Sequence, residues 1–201
     1  MLQFPIPASL SESEWVAKKN RFIAIVDYFE GRDALAEKLA QVKSRYPGAR
    51  HYCYAFIGGA PNDGVQMGMS DDGEPSGTAG KPMLAVLQGS DIGHILAVVV
   101  RYSSGIKLGT GGLVRAYSTS LKQALEQLDT SLYVKTVRLG FTTEYSQVDA
   151  ITRTLHQLGG EISQVDYGVG VSMVVTLPQA QQESLQIYLQ RCAEDICILT
   201  N

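Results

Sequence analysis

The residues best equipped for chemistry fall in two glycine-rich stretches. The first, residues 70–82, reads Ser-Asp-Asp-Gly-Glu-Pro-Ser-Gly-Thr-Ala-Gly-Lys-Pro and gathers Asp71, Asp72 and Glu74, the hydroxyls of Ser76 and Thr78, three glycines and Lys81. The second, residues 105–112, reads Gly-Ile-Lys-Leu-Gly-Thr-Gly-Gly. Neither composition suits a helix interior or a regular strand, and each stretch runs into an apolar segment with helical spacing. Each is therefore expected to offer free backbone N–H groups at a helix N-terminus, where the partial positive charge favours anions. Two such loops in one chain predict a surface that reads phosphate.

Several sharper chemistries fit less well. Residues 75–82 nearly imitate a nucleotide-binding P-loop, but Pro75 stands where glycine is needed and Pro82 where a magnesium-holding hydroxyl is needed. Asp71, Asp72 and Glu74 are hard oxygen ligands without the spacing of a calcium loop, so no metal is expected. As turn formers, Asp71 and Asp72 would instead bond to nearby backbone, and the carboxylates would pair with Arg50, Lys81 or Arg101 and hold those cations in place. His51 and Cys53 share one face of a strand, the raw material of an activated nucleophile, but the surrounding Tyr-Cys-Tyr-Ala-Phe reads as core. No catalytic residue is assigned and no cofactor is expected. The second loop is the better anion site: Gly109, Thr110, Gly111 and Gly112 permit close approach of a ligand, with Lys107 before them and Arg115 and Lys122 after. Positive charge near a helix N-terminus opposes the dipole, which favours a binding role over a folding one.

These groups must be positioned by the elements around them. Strands are predicted at 21–28, 51–57, 65–70 and 95–102, and helices at 33–44, from Pro82 to 88, and at 112–128. Beyond 135 the pattern restarts as strand 136–143, helix 146–158, strands 161–167 and 170–177, helix 179–193 and strand 195–199. That is the β-α-β-β-α-β order of a ferredoxin-like unit. The expected division is therefore a first domain over 1–135 and a second over 136–201. Charge divides in the same place: residues 1–135 hold 14 Lys/Arg against 13 Asp/Glu and residues 136–201 hold 3 against 7, so a polyanion would meet the first part. Three scattered cysteines without a C-x-x-C pair predict reduced thiols, and no apolar run is long enough to span a bilayer. The expectation is a soluble cytoplasmic protein with no membrane partner.

Ala49-Arg50-His51-Tyr52-Cys53, the whole of residues 70–82, Val100-Arg101-Tyr102 and residues 105–117 together resemble the signature of the IMPACT family, in its bacterial YigZ-type branch. One departure is that the family pattern usually has an aromatic residue and a glycine where Ser103 and Ser104 stand. The resemblance implies an α+β protein. Its N-terminal domain would be of the type shared by a ribosomal protein's second domain, domain IV of elongation factor G and small-metabolite kinases. Its C-terminal ferredoxin-like domain would resemble domain V of the same factor. For eukaryotic relatives the family implies control of translation under amino-acid starvation. For this chain it implies a non-catalytic regulator that binds RNA or a ribosomal or translation-factor partner. On that reading the contacts are Arg50, His51, Ser76, Thr78, Lys81, Arg101, Lys107, Arg115, Lys122 and the second loop's backbone. The alternatives are an enzyme acting on a phosphorylated small molecule, because the fold also serves kinases, and a protein-binding adaptor.

Overall fold

A five-stranded antiparallel sheet with helices on both faces organises the first part of the chain. The computed structural model describes residues 3–199, which divide into two compact units between Tyr133 and Val134. The first unit runs β1 (Gln3–Pro7), β2 (Ser11–Ala17), β3 (Asn20–Tyr28), α1 (Leu35–Arg45), β4 (His51–Ile57), β5 (Met67–Ser70), α2 (Gly80–Gln88), β6 (Ile95–Tyr102), α3 (Thr110–Glu126) and all but the last residue of β7 (Thr130–Val134). The sheet order is β2-β3-β6-β4-β5, and β1 pairs with β7 in a separate ribbon. Chain order and sheet order differ because β6 inserts between β3 and β4, bonding antiparallel to each.

Side-chain alternation along these strands builds two cores. Phe22, Ala24, Val26, Cys53, Ala55, Ala97 and Val99 face α2 and α3, whose Met83, Leu87, Leu113, Tyr117 and Leu121 are buried against them. Ile23, Ile25, Phe56, Leu96, Val98 and Val100 face the other way, toward Leu35, Leu39 and Val42 of α1. Burial on both faces is why β6 reads Ile-Leu-Ala-Val-Val-Val without alternation.

The second unit runs β8 (Thr136–Thr143), α4 (Val148–Gln157), β9 (Glu161–Tyr167), β10 (Val171–Pro178), α5 (Gln182–Leu189) and β11 (Ala193–Leu199). Its sheet order is β11-β8-β10-β9, antiparallel throughout. Leu139, Phe141, Met173 and Val175 pack on Ile151, Leu155, Leu185 and Leu189 of the two helices. The predicted β-α-β-β-α-β order is present, and the chain is a mixed α+β protein.

Apart from shifts of one to three residues at element ends, three strands and one helix end differ from the sequence expectation. β1 is Gln-Phe-Pro-Ile-Pro, and two prolines mask a strand that survives because it lies in a two-stranded ribbon. β2 is Ser-Glu-Ser-Glu-Trp-Val-Ala, an edge strand whose Glu14 and Val16 stay exposed, so it lacks an apolar signature. β7 begins with three exposed residues and gives equally little signal. The helix expected to reach residue 193 stops at Leu189. Ala193 is already paired with Thr143 in the sheet, and the Thr143 hydroxyl bonds the Cys192 carbonyl at 2.7 Å.

Candidate functional site

The first glycine-rich stretch folds onto its own carboxylate. Asp71 leaves the end of β5, and its Oδ1 accepts from the Ala79 and Gly80 N–H groups at 2.9 and 2.8 Å, while Oδ2 accepts from Gly77 at 2.8 Å. These donors surround the first turn of α2, and Pro82 adds none of its own. The expected anion is thus supplied by the chain itself. Burial works to raise the Asp71 pKa, but the three backbone donors outweigh it and hold the carboxyl below its ordinary value. Gly80 permits this geometry because a Cβ there would stand 3.0 Å from the Ser70 backbone.

Asp72 and Glu74 turn in other directions. The Asp72 carboxylate accepts from the Tyr52 N–H at 2.7 Å, and its carbonyl lies 2.8 Å from His51 Nδ1. Glu74 points inward, where Oε1 accepts from Arg101 Nη1 at 2.6 Å and from the Tyr117 hydroxyl at 2.8 Å. His51 Nε2 lies 3.9 Å from the same oxygen. The strand register explains the convergence, since Arg101 of β6 pairs with Phe22 on one side and His51 on the other, and all three project toward α3. Side-chain exposure is 3% for Glu74 and 8% for Arg101, so this is a buried ion pair. The guanidinium also lies over the Phe22 ring.

The pair connects the two glycine loops. Arg101 Nη2 donates to Asn20 Oδ1 at 3.0 Å, and Asn20 Nδ2 donates to the Ile106 carbonyl at 3.3 Å, so Glu74, Arg101 and Asn20 link the first loop to the second. Asn20 was invisible in the sequence because it closes a Lys18-Lys19 turn without the Asn-Gly signature of a tight hairpin. At the positions that depart from the family pattern, the Ser103 hydroxyl accepts from Gly105 N–H and the Ser104 hydroxyl donates to the Lys18 carbonyl. Serine therefore builds this corner with hydrogen bonds.

Cys53 belongs to the same interior. Its thiol donates to the Asp71 carbonyl at 2.9 Å and lies 3.3 Å from the Tyr117 hydroxyl. Burial, reinforced by the negative charges of Glu74, Asp72 and Asp71, pushes its pKa up to about 12. The thiolate needed for nucleophilic attack is suppressed. Cys53 is buried, Cys192 half-buried and Cys197 exposed. A thiol-modifying reagent at pH 8 should label Cys197 first and Cys53 only on unfolding. Peptide mapping that found Cys53 labelled as fast as Cys197 in the folded protein would contradict this packing.

Among the described residues the second loop has no such internal anion. Gly109 caps α3 with φ +73°, no described side chain is hydrogen-bonded to the helix start, and the first intrahelical bond is Leu113 N–H to the Gly109 carbonyl at 3.0 Å. Thr110 and Gly111 are exposed, as are Lys107, Arg115 and Lys122, which form no ion pair among the described residues. Arg50, Ser76 and Lys81 are exposed too, whereas His51, Thr78 and Arg101 are buried. Thr78 spends its hydroxyl on the Pro75 carbonyl at 2.6 Å. The sequence-predicted residues thus separate into a buried structural group and an exposed one that carries Arg50, Lys81, Lys107, Arg115 and Lys122. Among the described residues no cluster of three or more His, Cys, Asp or Glu is placed to hold a metal, and no helix is long and apolar enough to cross a membrane.

Comparison with known proteins matches the same segments. The family model for the Impact N-terminal domain covers residues 18–125, and a domain of unknown function, DUF1949, covers residues 141–190. The chain is 48% identical to the IMPACT family member YigZ of Escherichia coli K12, across 82% of this chain and 80% of that protein. It is 39% identical to an IMPACT family member of Haemophilus influenzae, across 92% and 89%. A crystal structure described only as a hypothetical protein superposes with a TM-score of 0.74 at 42% identity, covering 100% of this chain and 98% of that one. With both glycine-rich loops inside the matched first domain, the chain belongs to the IMPACT family.

Proposed function

We propose that the protein is a non-catalytic regulator associated with translation that binds RNA, or an RNA-bearing ribosomal partner, through the second glycine loop and the start of α3. The contrast between the two helix starts carries this reading. At α2 the anion position is taken by Asp71, whereas at α3 the cap is a bare glycine flanked by exposed Lys107 and Arg115, which form no ion pair among the described residues. Phosphate oxygens satisfy backbone N–H groups and cations together, and a helix N-terminus favours negative charge. Lys122 lies two turns beyond Arg115 and extends the positive surface along the helix. The suppressed Cys53 thiol supports a binding role over covalent catalysis. We also read 1–135 and 136–201 as separate domains, the second with the strand order expected of a domain V-like module of elongation factor G.

The test is a titration of single-stranded RNA at several salt concentrations, comparing the parent with the Lys107→Ala/Arg115→Ala/Lys122→Ala variant. Affinity should fall for every RNA sequence. The salt slope should shrink by about 0.7 for each phosphate no longer neutralised, because fewer counterions are released. The melting transition should barely move, since exposed charges contribute within about 0.5 kcal/mol each. Equal affinities and slopes in two folded proteins would remove this surface and put the protein-adaptor reading first.

A further inference from the structure

The two faces of the five-stranded sheet are covered unequally. Five strands at about 4.8 Å spacing span roughly 20 Å, whereas a helix with its side chains is about 10–12 Å wide. Two helices, α2 and α3, cover one face, but α1 alone lies on the other. No residue of α1 is fully buried, although the sheet beneath it is. Beside α1 there remains a pocket of about 240 Å³ floored by Ile25, Leu96 and Val98 and walled by Val42 and Leu10.

Its polar edge consists of Asp27, Gln41, Arg45 and Tyr46, and these groups have partners of their own. Asp27 is paired with Lys38, Arg45 lies 2.8 Å from Glu12, and Gln41 donates to Glu37 at 3.2 Å. Burial, with Glu12 as the next cause, pushes the Tyr46 hydroxyl up to about 12, so it stays neutral. A charged ligand would have to break these pairs, whereas an uncharged apolar one would gain the floor without disturbing the edge. An apolar cavity of about 150 Å³ suffices for benzene, so this volume admits two fused rings.

We propose that the pocket between α1 and the β3–β6 region is a binding site for a small uncharged molecule built on a one- or two-ring apolar skeleton. This is independent of the RNA surface, because none of the pocket's lining residues belongs to the second loop or α3.

The probe is indole, titrated into the full-length protein and followed by methyl NMR. Saturable shifts should appear at Ile25, Leu96, Val98 and Val42. Val42→Phe should fill the space and weaken binding by at least about tenfold. Gln41→Trp, at an exposed α1 position on the pocket edge, should hinder entry without touching the core, which keeps the test valid if Val42→Phe fails to fold. Absence of saturable shifts up to the solubility limit, or affinity unchanged in folded Gln41→Trp and Val42→Phe, would overturn the assignment.

Discussion

Replacing Glu74 by alanine should lower the stability of the first unit by roughly 3–5 kcal/mol, the usual cost of stripping the partner from a buried charge. Arg101 is 7% exposed and, among the described residues, Glu74 is the one carboxylate paired with it, while Nε is already without a hydrogen-bond partner. The variant also removes the acceptor of the buried Tyr117 hydroxyl. For a unit of this size the loss corresponds to roughly 10–20 °C in melting temperature. Glu74→Gln keeps the shape and one acceptor and should fall between parent and alanine. Removing both charges, as in Glu74→Leu/Arg101→Met, should recover much of the loss, because apolar replacement of a whole buried pair is often neutral. Thermal unfolding of the four proteins decides the matter. A Glu74→Ala melting point within about 2 °C of the parent would mean that the ion pair is not what holds these loops.

Asp71→Ala should cost roughly 2–4 kcal/mol, since three charge-assisted hydrogen bonds vanish and the N–H groups of Gly77, Ala79 and Gly80 lose their acceptor. The same site predicts a pH dependence. The folded-state pKa of Asp71 lies below the ordinary 3.8, so its contribution is fully present above that value. It disappears as pH falls through the lowered folded value, because the unfolded state then binds the proton first. Asp71→Asn retains one acceptor but no titrating charge, so the stability gap between parent and variant should be large at neutral pH and shrink below pH 3.8. Denaturant midpoints measured from pH 7 downward test this, and a gap independent of pH would argue against the internal cap.

Strands rich in apolar or β-branched residues were legible from sequence alone. β4, β6, β8 and β9 run over the residues that this content predicts. β2 was not legible because half of an edge strand faces water, and β1 was hidden by prolines that a ribbon tolerates. The candidate site was readable in kind, as carboxylates that pair with one of Arg50, Lys81 and Arg101 or bond to nearby backbone, but which partner each one takes was not. Asp71 reads as a turn former, and its service to Gly77, Ala79 and Gly80 depends on the loop curling back over β5. Glu74 and Arg101 meet only because β6 places residue 101 between Phe22 and His51, a register that periodicity does not encode. Asn20, which completes the link to Ile106, carries no motif at all.

The insertion of β6 between β3 and β4 also bears on synthesis. As the chain emerges, β2 with β3 and β4 with β5 can each close as a local antiparallel pair, but the central position of the sheet stays vacant until residues 95–102 are made. Until then Ile23, Ile25, Ala55 and Phe56 have no complete sheet to be buried in, and the inner edges of β3 and β4 have unpaired backbone. Such edges are where nascent chains pair wrongly. A ribosome that paused before β6 had cleared its exit tunnel would prolong that exposure, so the interval between translation of β4 and of β6 is the vulnerable period in the life of this protein.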